Sequence, residues 1–167
     1  MKQMMPAKSI QKETHSAVQT AELGCVLGEH VQSGDVVILS GDLGAGKTHF
    51  ASALARGLGI GESVTSPTFA LLKQYVTGRT ALYHLDLYRL DADAQLDDID
   101  FWGLVAPDTD GVVLIEWGDM FEEVVAHADL RVTLQIRDRT MRTIEITSLS
   151  DRGNELIHEF STGLAKQ

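Results

Sequence analysis

Eight consecutive residues restrict what this chain can fold into more than any other part of it. Gly41-Asp42-Leu43-Gly44-Ala45-Gly46-Lys47-Thr48 satisfies G-x-x-x-x-G-K-[ST] at every fixed position. The run before it, Val36-Val37-Ile38-Leu39, is short, continuous and β-branched, the pattern of a buried strand. The stretch after it reads as a helix from about Gly46 to Leu58, which Gly57 and Gly59 help to stop. Strand, glycine-rich turn and helix in that order form a phosphate cradle. Gly41, Gly44 and Gly46 let the backbone curl round an anion with no Cβ in the way. The amides of Leu43, Gly44, Ala45, Gly46, Lys47 and Thr48 then point inward, and the helix N-terminus adds partial positive charge. Lys47 reaches the β- and γ-phosphates as a point charge, and the Thr48 hydroxyl is placed to hold Mg²⁺.

Such a loop needs a carboxylate for the metal, usually at the end of a neighbouring strand. Glu116 ends the buried run Val112-Val113-Leu114-Ile115 and takes that part. Asp86 lies in His84-Leu85-Asp86-Leu87-Tyr88-Arg89, whose alternation puts His84, Asp86 and Tyr88 on one face. Asp86 is a second metal ligand, a group that positions water, or half of a surface pair with Arg89. Lys47, Asp86 and Glu116 are the catalytic candidates, and Thr48, Asp86 and Glu116 the metal candidates. Thr65-Ser66-Pro67-Thr68 follows the helix, where a hydroxyl can report a γ-phosphate. Trp117 either covers the site, faces a partner or is buried. His49 reads as the start of the helix. His15, His30, His127 and His158 show no ligand-like spacing.

The rest of the 167 residues reads as one domain. Met1 to Lys12 looks like a loose start and Thr14 to Gln32 a first helix. Phe69 to Val76 and Ala81 to Leu87 read as strands, and Asp93 to Ile99 as a short helix. Leu130 to Ile136 and Arg142 to Leu149 alternate like a hairpin. Asn154 to Phe160 reads as a closing helix. Strands mixed with crossing helices give an α/β fold, a three-layer α/β/α P-loop NTPase with a central mixed sheet.

Charge narrows the partners. The net charge is −10, and Leu85 to Leu130 holds thirteen Asp and Glu against one basic residue, Arg89. That stretch repels phosphate backbones and suits a basic partner. Asp91, Asp93, Asp97, Asp98 and Asp100 lack the glycine and final glutamate of an EF-hand, so they read as surface. Arg131, Arg137, Arg139 and Arg142 fall within twelve residues, the better place for any contact with RNA. Cys25 is the single cysteine, which excludes a disulfide framework and fits a reduced, cytoplasmic setting. No apolar run is long enough to span a bilayer.

Together these segments resemble one family, TsaE (YjeE), the small bacterial P-loop ATPase of tRNA threonylcarbamoyladenosine biosynthesis. The carrying segments are Gly41 to Thr48, Ser66-Pro67-Thr68-Phe69, His84-Leu85-Asp86-Leu87-Tyr88-Arg89-Leu90 and Glu116-Trp117, in order across residues 14 to 148. The resemblance implies a cytoplasmic ATPase that uses ATP and Mg²⁺. It implies work with TsaB and TsaD, which install the threonylcarbamoyl group on adenosine 37 of tRNAs reading codons that start with A. tRNA is then met through that complex. Thr48, Asp86 and Glu116 fall on the family's Mg²⁺ site, Leu43 to Thr48 on its phosphate site, and Thr20 beside its adenine pocket. The chain departs from the family at His49, often a hydroxyl residue, and at Arg139-Thr140-Met141-Arg142, where a glycine is usual. The competing functions are a small-molecule or nucleotide kinase, the latter usually with several lid arginines where the central segment offers only Arg89, and a module in which ATP only orders an interface.

Overall fold

Val36–Ser40 and Gly111–Glu116 are buried at every position, as strands covered on both faces must be. In the computed structural model, which describes residues 5–67 and 69–167, they lie side by side in a seven-stranded sheet. The strands are β1 (Ser9–Thr14), β2 (Val36–Ser40), β3 (Leu72–Tyr75), β4 (Ala81–Asp86), β5 (Gly111–Glu116), β6 (Leu130–Ile136) and β7 (Arg142–Ser148). Their order across the sheet is β1-β7-β6-β2-β5-β4-β3. β4, β5, β2 and β6 run parallel, whereas β3 and the β6–β7–β1 edge are antiparallel. The sheet is therefore mixed, as expected.

Helices α1 (Ala17–His30), α2 (Lys47–Gly57) and α5 (Asp151–Leu164) cover one face. Val26, Leu27, Phe50, Leu54 and Phe160 pack there on Leu82, Leu114 and Val132. The other face carries only short pieces, α3 (Phe101–Leu104), α4 (Glu122–His127) and 3₁₀ turns at Asp93–Ile99 and Gly118–Met120. Leu96, Phe101 and Val124 close that core over Ile38, Leu85 and Val113. The architecture is the three-layer α/β/α P-loop NTPase fold.

Several boundaries differ from the sequence reading; the closing helix, read as Asn154 to Phe160, runs from Asp151 to Leu164. Ser9 to Lys12 are not a loose start but part of β1, paired with β7 from Ser9↔Thr147 to Thr14↔Arg142. Ser9-Ile10-Gln11-Lys12-Glu13 has one apolar residue because it forms an exposed sheet edge, where polar side chains discourage further pairing. Residues 1–4 lie outside the described residues. The first helix starts at Ala17, because Ser16 caps it by accepting from the Gln19 amide at 3.2 Å. β3 begins at Leu72 rather than Phe69. Leu71 takes a left-handed φ of 63°, and its amide closes a turn on the Pro67 carbonyl at 2.7 Å.

α1 and α2 touch through glycine. A Cβ at Gly28 would collide with the Leu54 carbonyl, and one at Gly57 with the Cys25 carbonyl. This approach seats α2, and with it the phosphate loop, against α1. Gly28→Ala is expected to destabilise the fold by about 1–3 kcal/mol through overpacking. A lowered urea midpoint with unchanged slope checks it; an unchanged midpoint would show that the helices tolerate separation.

Candidate active site

The turn after β2 takes the shape its glycines permit. Gly46 has φ +107° and occupies the cap position of α2 with no side-chain cap. No side chain therefore caps the first amides of the helix, the arrangement found where a helix N-terminus binds an anion. Lys47 is buried, and its Nζ donates to the Gly41 carbonyl at 2.5 Å and the Asp42 carbonyl at 2.9 Å. Its ammonium also sits 4.1 Å from the Trp117 ring centroid. Burial pushes the Lys47 pKa below the usual lysine range, against the pull of Glu116, Asp119, Asp42 and Asp86.

Strand register brings the acids to the loop. Leu39 of β2 pairs with Glu116 of β5, and Glu116 pairs with Asp86 of β4. Both carboxylates thus sit in one row, level with the start of the loop. Thr48 Oγ1 donates to Glu116 Oε1 at 3.1 Å. The other oxygen, Oε2, lies 2.7 Å from Nε2 of the fully buried His84. Asp86 Oδ2 accepts from Ser66 Oγ at 2.8 Å, and Oδ1 from the Tyr88 amide at 3.0 Å. Leu43, Gly44, Gly46, Lys47, Thr48, Ser66, Asp86, Glu116 and Trp117 line one cavity of about 420 Å³ with His49 and Tyr88.

Ala45 and Thr20 face a second space. They line a neighbouring cavity of about 250 Å³ with Ala17, Gly46, His49, Arg139, Thr140 and Arg142. Thr20 is buried, and its hydroxyl is 2.7 Å from that of Thr14. Arg142 Nε donates to the Ala45 carbonyl at 3.1 Å, tying the β6–β7 hairpin to the loop. The hairpin thus closes this cavity although its turn lacks glycine. His49 does more than start a helix: its ring Nε2 is 3.1 Å from the Ala17 carbonyl, and it borders both cavities.

Other expectations resolve differently. Ser66, not Thr65, reaches Asp86; Thr65 accepts instead from Lys73 Nζ at 2.7 Å. Thr68 lies outside the described residues. Trp117 covers the site, its ring over Lys47 and 4.9 Å from that of Tyr88. The arginines have different neighbours. Arg139 and Arg142 border the second cavity, Arg137 bonds Thr143 and Gln135 in its own hairpin, and Arg131 lies by Ser40. Sequence reasoning missed His84 as a partner of Glu116 and Arg142 as a brace of the loop. The alternation that placed His84 beside Asp86 was a usable signal for the first; nothing local signalled the second.

The family model for "Threonylcarbamoyl adenosine biosynthesis protein TsaE" matches residues 14–144. The chain belongs to the TsaE family. It is 42% identical to a "tRNA threonylcarbamoyladenosine biosynthesis protein TsaE" of Treponema pallidum, over 86% of this chain and 95% of that protein. The protein of the same name from Nostoc sp. is 40% identical over 83% and 85%. The crystal structure of Bacillus subtilis YdiB superposes with a TM-score of 0.76 at 31% identity, covering 94% of this chain and 97% of that one. Every segment that carried the resemblance to TsaE falls inside the matched span.

Among the described residues no group of three or more acidic, histidine or cysteine side chains is arranged to hold a metal. Thr48, Glu116 and Asp86 form a hard-oxygen set suited to Mg²⁺, and a bound nucleotide's phosphates would complete its shell. A cation whose folded-state pKa lies below its unfolded value weakens the fold at neutral pH. That cost disappears only as pH rises through the folded value toward 10.5. Lys47→Met is therefore expected to leave the thermal midpoint of the ligand-free protein unchanged or higher. Stabilisation by ATP is expected to fall by at least ~1.4 kcal/mol, a tenfold loss of affinity. A midpoint lowered without ligand would mean that the loop depends on the lysine for its own stability.

Proposed function

We propose that this member of the TsaE family is a Mg²⁺-dependent ATPase that takes part in forming threonylcarbamoyladenosine at position 37 of tRNAs reading codons that start with A. It acts with the TsaB–TsaD complex. The observation that carries the ATPase reading is the 3.1 Å contact between Thr48 and Glu116. It joins the loop's hydroxyl to a carboxylate on the adjacent strand, the pair that a nucleotide-bound metal requires. The pathway is supported by the names of the relatives, which cover most of this chain.

In this reading the loop amides of Leu43 to Thr48 and the Lys47 ammonium neutralise the phosphates. Thr48 and Glu116 hold the metal, which when bound supplies charge stabilisation to the transferring phosphoryl group. Asp86 contributes to the metal or orients the attacking water, and Ser66 links it to the loop that follows α2. The base occupies the cavity beside Thr20. Trp117 covers the phosphates and limits water.

The partner reading follows from what the site offers and what it lacks. Leu43, which lines the cavity, is 79% exposed, and Phe69, in the loop after Ser66, is 86% exposed. No arginine is among the residues lining that cavity; Arg89 instead lies 4.3 Å from the Phe69 ring. P-loop hydrolases without a placed arginine are slow, and one supplied in trans is worth about 10³–10⁵-fold. A net charge of −10 opposes direct tRNA binding and favours a basic protein face, whose attraction salt would screen. Among the described residues no helix is long and apolar enough to cross a membrane.

Glu116→Gln and Asp86→Asn keep shape and lose charge. Each is expected to cost at least about 10²-fold in turnover at low Mg²⁺, measured as phosphate release. Normal turnover in both would remove the carboxylates from the mechanism. The purified chain is expected to hydrolyse ATP slowly alone and faster when TsaB–TsaD is titrated in, with less stimulation at high salt. No stimulation at either salt would overturn the partnership, and binding of ATP without turnover would leave a nucleotide-ordered module.

A further inference from the structure

His84 is 0% exposed, in the centre of β4, two residues before Asp86. Alternation gives Leu82, His84 and Asp86 one face of the sheet, the face on which Leu82 and Leu114 join the core under α2. Its Nε2 is 2.7 Å from Glu116 Oε2. An ionised glutamate only accepts, so Nε2 carries the hydrogen and donates. Nδ1, equally buried, has no hydrogen-bond partner among the described residues.

That second nitrogen is informative. A leucine would fill this place, among leucines, without burying an unpaired ring nitrogen, so core stability is a poor reason for histidine here. What histidine adds is a fixed donor aimed at one oxygen of one carboxylate. Glu116 has several rotatable bonds, and its two oxygens are otherwise equivalent. In this structure they are not: Oε2 is taken by His84, and Oε1 faces Thr48 at 3.1 Å. We infer that His84 is a positioning residue for Glu116, holding Oε2 in the core so that Oε1 alone is presented to Thr48 and to the metal. The inference rests on the nucleotide–metal reading of the site. It gives that site an outer shell reaching two strands deep, since the histidine that orients the β5 carboxylate comes from β4. Outer-shell partners of this kind set metal affinity without touching the metal.

The test separates metal binding from nucleotide binding. Mn²⁺ affinity is read from the free-ion EPR signal at saturating ADP, and ADP affinity by calorimetry in EDTA. His84→Leu is expected to weaken Mn²⁺ by about 10–100-fold while ADP affinity in EDTA stays at the wild-type value. His84→Gln, whose amide nitrogen reaches the place of Nε2, is expected to restore most of the Mn²⁺ affinity; His84→Asn, which is shorter, is not. Unchanged Mn²⁺ affinity in His84→Leu would overturn the inference. So would an equal fall in both affinities, the mark of a merely structural residue. If the leucine variant fails to fold, the Gln–Asn pair decides, and equal Mn²⁺ affinities in those two overturn it. A wild-type protein that binds ADP but recruits no Mn²⁺ would instead bring down the metal reading of the site, and this inference with it.

Discussion

The parallel register of β2 on β5 is the constraint on which the site depends. Leu39 stands opposite Glu116, and two residues later the chain leaves the strand at Gly41 to form the phosphate loop. Glu116 therefore arrives level with the loop and on the face where α2 begins. A slip of one residue would turn Glu116 toward the opposite core and put Ile115 or Trp117 in its place. Packing on both faces opposes that slip, because it would take Glu116 from its partners Thr48 and His84 and leave its charge unpaired in the opposite apolar core. The same register, continued to Asp86 on β4, adds the second carboxylate without further machinery.

Charge explains why such an arrangement belongs to a binding site rather than to a scaffold. Four carboxylates surround one buried lysine, and burial still depresses its pKa. The loop's own carbonyls hold the ammonium in place, and a phosphate bound in the loop would replace these neutral acceptors with charged ones. Trp117 adds local strain. It takes a left-handed φ of 64°, worth about 1–2 kcal/mol for a residue with a Cβ. The next residue, Gly118, has no room for a side chain against Ile115 and Val124. The backbone is thus held in a turn that aims the indole at Lys47, and strain of this kind collects at functional sites.

Much of this was legible in the sequence, for reasons that differ by element. The phosphate loop was readable because its chemistry lies in consecutive residues, and Glu116 because it ends a continuous apolar run, Val112 to Ile115. β1 was not, since an edge strand of Ser, Gln, Lys and Glu carries no hydrophobic pattern and exists only through its pairing with β7. The start of α1 was misjudged although Ser16-Ala17-Val18-Gln19 carries a capping signal. The role of Trp117 stayed open because a single aromatic after a strand is equally consistent with core and cover. Arg142 reaches Ala45 across 97 positions, a contact no local pattern contains.

The most direct test of the account is a crystal structure of the protein with Mg²⁺ and a non-hydrolysable ATP analogue. The account predicts a metal held by Thr48 and Glu116, phosphates within the loop amides with Lys47 turned toward the γ-phosphate, and the base beside Thr20. A nucleotide bound elsewhere, or a metal that contacts neither Thr48 nor Glu116, would contradict it.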